Sequence, residues 1–152
     1  MALGELDLEA DPREALFNYI ASKLEISRLH GEKSRFIAGE LLRGAPFLSL
    51  RRKWHVQAVT KDAFAVAQGW IDDGKCNPID PRHLFIMLWS TTQFYADFAP
   101  MAATVLEVPK LRRSDFAAAA RQIIAILGLW PCQEKQREHY FRVKQPIGYC
   151  YQ

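Results

Sequence analysis

The segment DPRHLFIMLWSTTQFYADFAP, Asp80 to Pro100, decides the fold. Asp80 is suited to accept the free N–H groups of a helix start, and Pro81 fits the first helical position, where its missing N–H costs nothing. Leu84, Phe85, Leu88, Thr92, Tyr95 and Ala96 recur at helical spacing, with Trp89 and Gln93 on a neighbouring face. Leu84 to Trp89 is a run of six apolar residues. A helix apolar on so many sides must be covered from more than one direction. Ser90, Thr91, Thr92, Gln93 and Asp97 make it too short and too interrupted to span a membrane.

Working outward, the residues before this segment read as three more helices. The lead-in, residues 1–11, carries Glu5, Asp7 and Glu9. Asp11-Pro12 repeats the start device, with Glu14 at capping-box spacing, and Leu16, Phe17, Ile20, Leu24 and Ser27 form a stripe that ends near Gly31. A second helix, Lys33 to Arg43, places Phe36, Ile37, Glu40 and Leu41 at helical spacing before the stop Gly44-Ala45-Pro46. The third, from Leu48 to Asp73, carries Val56, Val59, Ala63, Val66, Ala67 and Trp70 on one side and is closed by Gly74.

After Pro100 comes a connection with a short helix at Met101 to Leu106. A last helix, capped by Ser114 and ending at Trp130-Pro131, carries Phe116, Ala119, Ala120, Ile123, Ile124 and Leu127. No segment reads as a strand. The fold class expected is an all-α bundle of five main helices, residues 12–131, followed by an atypical extension, 132–152, without a clean period.

The 152 residues, 49% of them hydrophobic, suffice for one domain with a core of its own. The net charge of +3 argues weakly for nucleic acid, since Arg51-Arg52-Lys53 and Arg112-Arg113 are too short for a phosphate-binding stripe. Cys76, Cys132 and Cys150 are odd in number and far apart, and no leader precedes them. That pattern points to a reducing cytoplasm.

Signs of catalysis are missing. There is no glycine-rich phosphate loop, and His30, His55, His83 and His139 fall in four segments without shared ligand spacing. Asp72-Asp73 sits at a helix end with its carboxylates diverging, and Ser90 and Ser114 have no histidine or carboxylate partner in sequence. Asp97 reads as a rim residue serving a local hydrogen bond. No catalytic residue, metal ligand or cofactor is expected, and no enzyme.

Trp89 and Gln93, four apart, do form a recognition pair on one helix face. Indole is a flat apolar wall. A glutamine amide offers a donor and an acceptor side by side, the complement of an imide or amide edge. The competing reading keeps Trp89 in the core, with Gln93 satisfying a nearby carbonyl.

Two longer runs, LEISRLHGEKSRFIAGELLRGAP from Leu24 and AQGWIDDGKCNPIDPRHLFIMLWSTTQFYADFA from Ala67, resemble the C-terminal ligand-sensing and dimerisation domain of TetR-family transcriptional regulators. Among these the chain is most similar to the pyrimidine-sensing members, which respond to uracil or thymine. The resemblance covers about Pro12 to Pro131, and Gly69 to Phe98 is its specific part. It implies a homodimer held by a four-helix interface, with Phe85, Leu88, Thr92 and Ala96 on the central helix and Ala119, Ala120, Ile123 and Leu127 on the last one. It also implies an effector pocket at Trp89 and Gln93, matching a WxxxQ motif, with Trp70 and Phe36 as further lining.

Members of this family begin with a helix-turn-helix unit and a linking helix, which this sequence lacks. The chain as given is therefore expected not to bind an operator, DNA binding belonging to a full-length form. Family members repress transcription until the effector binds. The alternative is a helical dimerisation or interaction module whose interior is filled by Phe36, Trp54, Phe64 and Trp70.

Overall fold

The computed structural model describes residues 11–44 and 50–128, and for residues 50–59 the backbone alone. Six helices are found there: α1 (Pro12–Leu29), α2 (Gly31–Leu42), α3 (Leu50–Asp72), α4 (Pro81–Asp97), α5 (Ala99–Val105) and α6 (Arg113–Leu127). The described residues hold no strand, and the fold is all-α. Trp54 and the 132–152 extension lie outside the described side chains.

Each boundary has a local cause. Asp11 Oδ1 accepts from the backbone N–H of Arg13 at 2.9 Å and of Glu14 at 3.2 Å, opening α1. Such a cap contributes about 1 kcal/mol. Asp80 does the same for α4 through Arg82 N–H at 2.8 Å. The Arg82 guanidinium also bonds both Asp80 carboxylate oxygens and holds that carboxyl down to about 2. Gly74, at φ +69°, turns the end of α3 by donating to Ile71 O at 2.9 Å, a left-handed position where a side chain would be strained. His30 alone separates α1 from α2: its N–H returns to Ile26 O at 2.8 Å and its carbonyl accepts from Ser34 N–H at 3.1 Å.

The last helix departs from the sequence reading. Its cap position is Arg112, not Ser114, because the Asp115 carboxylate reaches back to the Arg112 N–H at 2.6 Å. It ends at Leu127, where Gly128 turns left-handed at φ +51°. Trp130 and Pro131 lie outside the described residues.

Helix α1 runs between α4 and α6 and packs along both, while α2 rests on α4. Leu16, Ile20 and Leu24 of α1 meet Leu84, Phe85 and Leu88 of α4 and Phe116, Ala119, Ala120, Ile123 and Ile124 of α6 in one core, joined by Ala63, Val66, Ala67 and Trp70 of α3. Phe85 lies at its aromatic centre, edge-on to Tyr19 at 5.9 Å and tilted against Phe64 at 5.5 Å. Each fully buried leucine contributes about 2 kcal/mol by leaving water.

This packing places most of the residues expected at a dimer face inside the chain. Leu88 and Thr92 are 0% exposed, and Phe85, Ala96, Ala119, Ala120 and Ile123 are also buried inside this one chain, with Leu127 half-buried. They are covered by α1, which packs along both α4 and α6. Thr92 is tolerated there because its hydroxyl donates to Leu88 O at 2.7 Å. What α4 turns outward is Met87, Phe94 and Phe98, with Ile86 beside them, and Met101 and Ile126 are exposed too. No described helix is long and apolar enough to cross a membrane.

Candidate ligand-binding site

Along one flank α4 carries Trp89 and Gln93, both half-buried, between the buried stripe and solvent. Trp89 packs against the core, and its indole N–H donates to the Tyr19 hydroxyl of α1 at 2.7 Å. That bond fixes the tilt of the indole plane. Tyr19 is itself buried, and burial pushes its phenol up to about 12, against the smaller opposite pull of the Trp89 bond. The phenol therefore stays neutral at ordinary pH.

One turn along, Gln93 Nε2 donates to the Ser34 hydroxyl of α2 at 3.5 Å. Ser34 donates to Asp97 Oδ1 at 2.5 Å, and Arg35 Nη1 donates to Ala96 O at 3.0 Å. From the end of α1, Ser27 donates to Thr92 O at 3.3 Å. Side chains from the start of α2 thus clasp the last turn of α4, and Arg35 occupies the Ala96 carbonyl that the helix end leaves free. Asp97, expected to serve a local hydrogen bond, instead accepts from a residue of another helix, 63 positions away. Gln93 Oε1 carries no hydrogen bond among the described residues. The result is a fixed aromatic wall beside an amide with an open acceptor, which suits a neutral planar ring with polar edges.

The other two expected lining residues are placed elsewhere. Trp70 is 1% exposed in the core, and its Nε1 has no hydrogen-bond partner among the described residues. Phe36 is 70% exposed on the outer side of α2. Helical spacing correctly grouped Phe36 with Ile37 and Leu41, but α2 docks through Ser34 and Arg35, so all three remain exposed. Glu40 of the same expected stripe is buried and paired with Arg43.

Sequence reasoning missed Tyr19 and Ser34. Tyr19 had a signal, three residues after Leu16 on the same stripe. Ser34 had none. A cleft of about 860 Å³ opens beside the site, where the α1–α2 turn faces α5 and the connection to α6. Arg28, Lys33, Asp97 and Lys110 line it, and it takes in neither Trp89 nor Gln93. Among the described residues no three His, Cys, Asp or Glu side chains converge. Cys76 is buried and free, and burial pushes its thiol up.

Comparison with known proteins bears on this arrangement. The family model described as "YcdC-like protein, C-terminal region" matches residues 1–133. The HTH-type transcriptional regulator RutR of Escherichia coli strain K12 is 43% identical over 94 residues, which is 62% of this chain and 44% of that protein. RutR of Shigella flexneri matches to the same extent, and RutR of Escherichia coli O157:H7 is 42% identical over the same length. The chain spans less than half the length of these relatives.

Proposed function

This chain belongs to the family of YcdC-like C-terminal regions, ligand-binding domains of TetR-type transcriptional regulators and not enzymes, and from that premise we propose what it binds and how it pairs. The domain takes a small planar effector, a pyrimidine such as uracil or thymine. The ring lies on the Trp89 face and its imide edge meets the Gln93 amide.

The observation that carries this reading is the pairing of an indole hydrogen-bonded to Tyr19 with a half-buried amide one turn away whose acceptor has no hydrogen bond among the described residues. A base stacked on an aromatic side chain is held by about 1–3 kcal/mol. The amide edge adds orientation and choice among rings. Bound effector changes DNA binding by a longer, helix-turn-helix-bearing form only as far as it prefers one arrangement of the domain over another.

The domain pairs with a second copy through the outward side of α4. Met87, Phe94 and Phe98 recur there at helical spacing, and the Phe94 and Phe98 rings stack at 5.2 Å. Aligned exposed aromatics of this kind mark an interaction surface. The competing reading, an interaction module without an effector pocket, draws support from the 860 Å³ cleft, which leaves out Trp89 and Gln93.

Calorimetric titration with uracil and thymine separates the two. Saturable binding is expected, weakened about tenfold or more in Gln93→Ala by the loss of its hydrogen bonds. Absence of heat with both pyrimidines would leave the interaction module.

A further inference from the structure

Where α5 ends, Glu107 takes a left-handed φ of +55° and the Val108 N–H returns to Ala103 O at 3.0 Å. That turn stops the helix and sends the chain on toward α6 as an irregular connection. Pro109, Lys110 and Leu111 of this connection form one wall of the cleft, and the α1–α2 turn forms another. Its volume of about 860 Å³ lies in the range of small-molecule sites. Neither Trp89 nor Gln93 lines it, so a ligand here stands or falls apart from the effector reading.

The bottom and the rim of the cleft differ in chemistry. Ala96, Ala103 and Phe116 line it and are themselves buried, and the Tyr95 ring leans on Phe116 at 6.1 Å. Together they make an apolar floor. Arg28 on the rim is already engaged by Glu25 through two hydrogen bonds at 2.8 Å. Arg35 gives one nitrogen to the neutral carbonyl of Ala96, which leaves its charge unbalanced. Lys33 and Lys110 have no ion pair among the described residues. These three cations face two lining carboxylates, Glu32 and Asp97, the second already hydrogen-bonded to Ser34. The lining is therefore left with one positive charge in excess. We propose that the cleft binds a monocarboxylate with an apolar body. Its hydrocarbon part covers the floor, and its head lies among Lys33, Arg35 and Lys110. A single negative charge balances the excess, whereas a dianion such as inorganic phosphate overshoots it and leaves the floor bare.

Benzoate is the probe, beside benzamide, which lacks the charge, and acetate, which lacks the ring. Nuclear magnetic resonance titration of the full chain is expected to show saturable shifts of the Tyr95, Ala103 and Leu111 amides with benzoate. Benzoate should bind about tenfold or more tighter than benzamide, the scale of one charge-assisted hydrogen bond. It should also bind about tenfold or more tighter than acetate, the scale of burying one ring. Lys33→Glu combined with Lys110→Glu should weaken benzoate about tenfold or more by reversing the rim charge. Both lysines are exposed, so circular dichroism should be unchanged. Lys61→Glu, an exposed position of α3 outside the cleft, should leave the affinity within about twofold, since solvent and salt screen it. Should the double variant fail to fold, the three ligands on wild type and the map of shifts decide. Equal binding of benzamide or acetate overturns the ligand class. Benzoate that binds the double variant as well as wild type, shifts that gather at Trp89 and Gln93, or no saturable shift at all overturns the site.

Discussion

Two sides of α4 are apolar, and they have opposite fates. One carries Leu84, Phe85, Leu88 and Ala96 and is sealed by α1. The other carries Met87, Phe94 and Phe98 and is open. Period alone does not tell them apart, because a hydrophobic stripe states that something covers it and not what does. The distinction lies in the fit. The inner stripe mixes large and branched residues that interlock with Leu16, Ile20 and Leu24, with one threonine satisfied by its own helix. The outer stripe is built of flexible or aromatic side chains, Met87, Phe94 and Phe98, the composition that interfaces favour.

The comparison predicts where substitutions hurt. The largest effect belongs to the inner side. Leu88→Ala should cost about 2–5 kcal/mol in denaturant unfolding, through lost burial and the cavity left behind. No loss beyond about 0.5 kcal/mol would mean that α1 does not seal this side.

Next comes the polar edge of the inner side. Burial pushes the Tyr19 phenol from its ordinary value of 10.0 up to about 12 in the fold. A raised pKa means that the neutral phenol is the stabilised form. Its contribution is complete below pH 10 and is lost as pH climbs through about 12. Two units correspond to about 2–3 kcal/mol, as an order of magnitude. Unfolding free energy measured between pH 9 and 12 should fall by that amount, and Tyr19→Phe should remove this part of the slope.

The smallest effect on the fold belongs to the outer side. Phe94→Glu should leave the thermal stability of the isolated subunit within about 0.5 kcal/mol, as surface changes do. Sedimentation equilibrium should nevertheless show it monomeric where wild type pairs. A dimeric Phe94→Glu chain would move the interface off this side.

Much of the fold was legible because its signals are local. Asp11-Pro12 and Asp80-Pro81 announce helix starts within two residues, and Gly74 announces an end. Ser114 misled because the cap interaction ran the other way, from Asp115 back to the Arg112 N–H. The site was half legible. Trp89 and Gln93 lie on one helix, where spacing alone puts them side by side. Their partners come from far away in sequence: Tyr19 lies 70 residues before Trp89, and Ser34 lies 59 before Gln93 and 63 before Asp97. No periodicity reaches across such distances. Phe36 stays exposed for a related reason, since its helix docks through polar bonds that no hydrophobic pattern records.

The single residue between α1 and α2 leaves the site intolerant of length change. His30 hands one helix directly to the next, with no slack loop between them. Inserting or deleting one residue there would rotate α2 by about 100° relative to α1, since a helix turns once in 3.6 residues. Ser34 would swing away from Asp97, and Arg35 from the carbonyl of Ala96. The register of the polar clasp is thus counted out along the chain from α1, so related sequences that keep the clasp should vary at this junction in residue type and not in residue number.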